Sequence, residues 1–158
     1  MTTHAANSDA IVLGWREYVA FPDWNVGWVK AKVDTGAKTS AIDVESHEIL
    51  PGNRVRFTFR TGRRGRAKRH TIETDIVRHG TVRSSTGHEH ERIFVNTRIQ
   101  IGGIERTVES SLVDRRKMRF RMLLGRTAME PDLWVNPSVR YLHGRPRGKG
   151  KPTAKGGA

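Results

Sequence analysis

The 158-residue chain has no cysteine, which excludes disulfides, thiolate nucleophiles and cysteine-ligated zinc. It has no apolar run near the roughly 18 residues a membrane span requires, so no membrane partner is expected. Its first ten residues, MTTHAANSDA, show neither the basic start nor the apolar stretch of a secretory signal, and the expected location is the cytoplasm. No Walker-type glycine loop occurs, so no ATP hydrolysis is expected. Acid is scarce too: 16 Asp+Glu stand against 29 Lys+Arg, a formal net charge of +13. Such a surplus raises the local concentration of an anionic partner, whether acidic peptide, acidic protein or nucleic acid.

The length fits one domain with a real core. From Gly144 onward, GRPRGKGKPTAKGGA carries five cations and no acid, and its Gly/Pro content argues against packing. Residues 1–10 are therefore expected to be a flexible start, 11–143 the folded domain and 144–158 a disordered basic tail able to touch RNA. Removing the tail still leaves about +8 on the remainder by the same count, so the folded part is basic in its own right.

Ile11 to Trp15 and Trp28 to Val33 read as short strands, with Pro22, Asp23 and Asn25 marking a turn between them. Thr39 to Val44 suggests the next strand. In RVRFTFR, Arg54 to Arg60, the residues Val55, Phe57 and Phe59 share one face, the period-2 mark of a half-buried strand. TGRRGR then turns the chain, and Arg69 to Arg78 returns as the second arm of a basic hairpin. Arg92 to Ile101, Glu105 to Val113 after Gly102-Gly103, and Met122 to Leu124 complete the strands, and Arg126 to Glu130 suggests one helical turn before Pro131. Short strands at intervals of about ten residues with little helix predict an all-β fold, a small barrel or sandwich.

Asp34 follows an apolar strand and precedes Thr35-Gly36. Two carboxylates brought close cannot both ionise, so one becomes a base for water and the other an acid; a lone aspartate is half of such a pair. Gly36 permits a sharp turn, and the hydroxyl of Thr35 suits fixing the carboxylate. An ordinary turn after a strand uses the same tripeptide.

Val33-Asp-Thr-Gly-Ala37, followed about ninety residues on by Leu123-Leu124-Gly125, resembles the retropepsin-type aspartic peptidase pattern. More closely, VDTGAKTSAI, VRSSTG, ERIFV, SLVDRRKMRFRMLLGRTAM and WVNP resemble the RimB-like prokaryotic retropepsins. Those proteins accompany RimK-type glutamate ligases and are often labelled ATP-dependent zinc proteases. The resemblance implies an all-β fold, a small retropepsin-like closed barrel with a basic flap-like hairpin and little helix, and an aspartic endopeptidase in which Asp34 is catalytic and Thr35 and Gly36 support it. It places Leu124-Gly125 behind that loop, with Arg126 following, and the hairpin around Thr61 to Arg66 over the substrate. It implies as substrate α-linked polyglutamate, such as the tails added to a small-subunit ribosomal protein. Arg60, Arg63, Arg64, Arg66, Lys68 and Arg69 suit such a chain, because guanidinium pairs with carboxylate through two hydrogen bonds. Lys38, where retroviral enzymes carry Asp or Asn, suits contact with an acidic substrate, and Arg126 joins that set.

Only one Asp-Thr-Gly occurs, so the second carboxylate comes either from a second subunit or from elsewhere in the chain. Asp114, at the end of a strand before MLLGR, is the intrachain candidate, and a surface ion pair with Arg115 or Arg116 is its alternative. The unit is accordingly a homodimer or a monomer. His88 and His90 share a strand face without a third ligand in sight, so no metal or other cofactor is expected and a solvated polar loop is the expectation there. His70, His79 and His143 are isolated, and Ser84-Ser85 has no base partner. The tryptophans at 15, 24, 28 and 134 are expected in the core or at its rim. The competing class is a non-catalytic basic β-barrel that binds acidic tails or RNA.

Overall fold

The computed structural model describes residues 10–62, 66–83, 86–114 and 119–146. Among them the chain forms β1 (Ile11–Gly14), β2 (Arg16–Phe21), β3 (Val26–Val33), β4 (Ser40–Asp43), β5 (Ser46–Leu50), β6 (Arg54–Thr61) and β7 (Lys68–Asp75). Then follow β8 (Arg78–Arg83), β9 (Glu89–Ile101), β10 (Ile104–Val113), β11 (Met122–Leu124), α1 (Arg126–Met129) and β12 (Leu133–Asn136). Nearly everything is strand, as the spacing predicts. Among the described residues no helix is long and apolar enough to cross a membrane.

The principal sheet runs β10-β4-β11-β3-β2-β9-β8, and β9 also pairs with β10. That second pairing closes six strands into a small barrel and leaves β8 outside the ring. Val19, Phe21, Val29, Ala31, Val33, Ile42, Val95, Ile99, Ile101, Met122 and Leu124 all belong to its buried core. The β5-β6-β7 sheet packs against it. Val55, Phe57 and Phe59 are buried as their alternation predicts, with Phe59 edge-on to Phe21 at 5.6 Å and Phe57 edge-on to Trp24 at 5.2 Å.

Four strands, β2, β5, β8 and β12, form where the sequence pattern marks none. In β2, Arg-Glu-Tyr-Val-Ala-Phe, the inward position is taken by Glu17, which is fully buried. Its carboxylate accepts the N–H of Gly14 at 2.7 Å, of Leu142 at 3.2 Å and of His143 at 3.4 Å. A buried carboxyl group is tolerable only when its oxygens are so satisfied. β5 is exposed almost throughout and shows no apolar face, and β12 is only four residues long. The return arm of the hairpin is also shorter than expected. It ends at Asp75, and Ile76 and Val77 donate to Asn53 and Phe94 carbonyls as the chain crosses from one sheet to the other. His88-Glu-His-Glu91 departs from the expected loop: Glu89 to Glu91 open β9, with His90 opposite Val82. Trp24 packs on the core, whereas Trp28 and Trp134, expected in the core or at its rim, are 36% and 47% exposed.

Candidate active site

β3 delivers Asp34 to the end of the barrel, and β11, parallel to it with Leu124 opposite Val33, lies alongside. β4 runs antiparallel to β11, with Met122 opposite Ile42. The loop from Asp34 to Thr39 thus leaves one neighbour of β11 and returns as the other. The Asp34 N–H donates to the Leu124 carbonyl at 2.8 Å, the Arg126 N–H to Ala37 at 2.8 Å and the Thr127 N–H to Lys38 at 3.0 Å. The Gly125 N–H donates to the buried Ser40 hydroxyl at 3.0 Å, and the Arg126 guanidinium to the Thr35 carbonyl at 3.0 Å. The loop is therefore tied to the segment Leu124 to Thr127 at Asp34, Thr35, Ala37, Lys38 and Ser40.

That close approach is why position 125 is glycine. Its φ is ordinary, so backbone freedom is not the reason. A Cβ there would lie 2.5 Å from the Thr39 carbonyl and 2.9 Å from the Lys38 oxygen, both rigid backbone. Within the loop, the Gly36 N–H donates to Asp34 Oδ1 at 3.0 Å and the Ala37 N–H to the Asp34 carbonyl at 3.2 Å. The carboxylate is thus oriented by its own turn while Thr35 and Gly36 stay exposed. Such an arrangement holds one carboxylate in a fixed place beside open space, ready to position a water.

Strand alternation sets what shares its side. Val29, Ala31 and Val33 are buried, while Trp28, Lys30 and Lys32 are exposed, so Asp34 leaves on the side of Lys30 and Lys32. Cross-strand partners share a face, and Arg16 lies opposite Lys32 and Tyr18 opposite Lys30. The Arg16 guanidinium sits 3.8 Å from the Trp15 ring centroid and 5.1 Å from that of Phe120. Arg119 and Arg121 approach the same face just before β11, and Arg121 pairs with the buried Asp43 at 3.0 Å. The sequence pattern did not mark Arg16, Lys30, Lys32, Arg119 or Arg121; alternation of Lys30 and Lys32 with the buried valines was the signal available.

The residues that were marked fall in different places. Asp34, Thr35 and Gly36 form the loop, and Arg126 braces it. Lys38 is exposed and borders a separate depression with Arg78 and Glu109. In the β6–β7 hairpin, Arg69 makes a bidentate pair with Glu45 at 2.8 and 3.1 Å. Arg60 is half-buried beside Asp43, Glu45 and Arg121, and Arg66 and Lys68 are exposed. Arg63 and Arg64 lie outside the described residues. Other hairpin cations are matched as well: Arg54 with Asp75 at 2.6 Å, and Arg56 with Glu73 at 2.8 Å and Glu48 at 3.4 Å. Glu73 and Glu45 hold the Arg56 and Arg69 guanidiniums firmly charged, mainly by hydrogen bonding. His70 receives or gives a hydrogen bond with the Thr61 hydroxyl at 3.0 Å; burial, and then Lys68, lower its pKa below 6.5.

Asp114 is not brought to Asp34 within one chain. β10 runs parallel to β4 with Ser110 opposite Ser40 and Val113 opposite Asp43. Ser40 adjoins the loop at Gly125, so Asp114 lies about four residues, or roughly 13 Å of extended strand, toward the other end. Among the described residues no group of three His, Asp or Glu is placed to hold a metal ion.

Comparison with known proteins agrees with this geometry. The family model described as RimB-like, retropepsin-like aspartic endopeptidase RimB, matches residues 12–146. A Shewanella pealeana protein named probable alpha-L-glutamate ligase is 34% identical over 143 residues, and one of the same name from Shewanella halifaxensis is 33% identical over 144. These matches cover 87% and 88% of this chain but only 31% of each relative, so the chain spans under a third of the curated relatives' length. A crystallographically solved Legionella pneumophila protein, described as of unknown function, superposes with a TM-score of 0.70 at 25% identity, covering 84% of this chain and 98% of that one.

Proposed function

The chain belongs to the RimB-like family of retropepsin-like aspartic endopeptidases, and from that premise we propose that it hydrolyses α-linked, glutamate-rich peptides with Asp34 as the catalytic carboxylate. The observation that carries this is the clamp of the Asp34 loop onto Leu124 to Thr127, which leaves an oriented carboxylate at an open face. Asp34 holds the attacking water and takes its proton, while a second, protonated carboxyl polarises the scissile carbonyl. The lysines and arginines on the same side supply the counter-charge an acidic substrate calls for. Relatives named as glutamate ligases, in which a region like this chain occupies about a third of the length, support a shared glutamate-linked chain as the object of both activities.

The second carboxylate is assigned to Asp34 of a second copy, because the strand register puts Asp114 at the far end of β4. A second copy would cover the separate two-stranded sheet of β1 and β12, in which Val12 lies opposite Trp134. They are 44% and 47% exposed.

Asp34→Asn is expected to abolish cleavage of an α-polyglutamate peptide with the fold retained, and undiminished cleavage would end the assignment. Excess Asp34→Asn protein is expected to titrate away wild-type activity by forming mixed pairs. An inert mixture together with an inactive Asp114→Asn variant would instead place both acids in one chain. Affinity for polyglutamate without hydrolysis would identify a binding module.

A further inference from the structure

On the side of the sheet that carries Asp34, a cavity of about 520 Å³ opens beside Lys30. Tyr18 and Trp28 form its floor, packed edge to face at 5.0 Å, and Tyr141 stacks behind Tyr18 at 4.4 Å. These contacts make the floor rigid. Lys30, Arg119 and Arg145 line the walls. Among the described residues neither Lys30 nor Arg119 has an acidic partner, unlike Arg54, Arg56 and Arg69 of the hairpin. The Arg145 guanidinium lies 4.5 Å from the Trp28 ring centroid, which covers the aromatic face that a nucleobase would need and leaves its N–H groups for an anion. The cavity therefore offers donors and positive charge over a firm apolar floor, which fits a carboxylate on a short aliphatic stem.

We propose that this cavity is a subsite for a glutamate side chain about four residues from the bond that faces Asp34, so that the protein reads the length of an acidic peptide as well as its charge. Lys30 stands four residues before Asp34 on β3, a separation of roughly 13 Å, and an extended peptide needs about four residues to cover it. Peptides that reach from Asp34 to Lys30 gain the subsite; shorter ones do not. The inference rests on the scissile bond lying at Asp34.

The test uses the full-length Asp34→Asn protein and oligoglutamates of two, four, six and eight residues. All are N-acetylated and C-amidated, so that side chains are the sole source of carboxylate. Binding is followed by tryptophan fluorescence, with Trp28→Phe identifying the signal from the floor. The affinity is expected to rise by about tenfold once the peptide spans the gap, as for two new exposed charge pairs. Adding Lys30→Gln and Arg119→Gln, both exposed positions, is expected to bring the ratio of short-peptide to long-peptide Kd close to one. A ratio unchanged by those substitutions, or tighter binding of oligouridylate than of octaglutamate at matched ionic strength, would overturn the proposal. Because binding is read without catalysis, failure of the wild-type protein to cleave would count against the endopeptidase assignment alone. Cleavage with no length step would count against the subsite alone.

Discussion

Two cationic regions differ in what their charge is free to do. The β6–β7 hairpin is dense in arginine, yet Arg54, Arg56 and Arg69 are each paired to Asp75, Glu73 and Glu45 on neighbouring strands or the adjoining segment, so that among the described residues its exposed cations without an acidic partner, Arg66 and Lys68, lie near the tip. The outer face of β2 and β3 carries fewer cations, but among the described residues Lys30, Lys32 and Arg119 have no acidic partner, and they lie on the side of Asp34. Exposed ion pairs contribute little stability, but they do lower the potential a ligand meets. Charge density and available charge are therefore different quantities, and the second one is the ground for the proposed substrate face.

Removing the carboxylate should have the largest effect on this contrast. Asp34→Asn is expected to reduce kcat/KM on polyglutamate by about a thousandfold or more, measured alongside an unchanged far-UV spectrum. Next comes the loop that holds it. Gly125→Ala forces a methyl against the Thr39 and Lys38 backbone, and is expected to cost about 1–3 kcal/mol by denaturant unfolding, with a matching loss of activity. A Gly125→Ala protein of full stability would mean that the clamp is looser than its geometry. The charge sets come third. Lys30→Gln with Arg119→Gln is expected to lower kcat/KM by about three- to tenfold, whereas Arg56→Gln with Arg69→Gln should change it by less than about twofold. Equal losses from the two pairs would erase the distinction between the regions. Added salt should weaken binding in the wild type more than in the Lys30/Arg119 double variant.

The smallest effect belongs to the hairpin. Burial and then Lys68 hold the folded pKa of His70 below 6.5, so the unfolded chain binds more protons in the window just below that value. Stability should therefore fall slightly as pH drops from about 7 through that window. His70→Asn should flatten the slope in a thermal-melt series, with activity on the Asp34 side little changed. An unaltered slope would place the pH dependence elsewhere.

Much of the fold was legible because its signals are local. The alternation in Arg54 to Arg60 and the apolar runs at Met122 and Trp28 announce strands, and Gly102-Gly103 announces the β9–β10 turn with both residues at positive φ. β2 was hidden because a buried carboxylate, Glu17, stands where an apolar residue would mark the inward face. It is sustained by backbone N–H groups that come from as far away as His143. The loop around Asp34 was legible as a candidate, and its association with Leu124-Gly125 followed from the family resemblance rather than from any local signal. The cations of its own face were not, since Lys30 and Lys32 read as the ordinary polar side of a strand.

Sequence alone determined that the chain is a small basic β protein with one Asp-Thr-Gly loop and a glycine segment suited to lie behind it. The first two of these rest on composition, period and a short motif, which need no knowledge of distant neighbours, and the place of the glycine segment came from the resemblance to the retropepsins. Only the tertiary structure decided which cations are neutralised, that Asp114 lies at the other end of β4, and that Lys30 and Arg119 share a cavity on the Asp34 side. Each of these depends on register between strands far apart in sequence, and a shift of a single residue in that register would turn the same side chains to the opposite face.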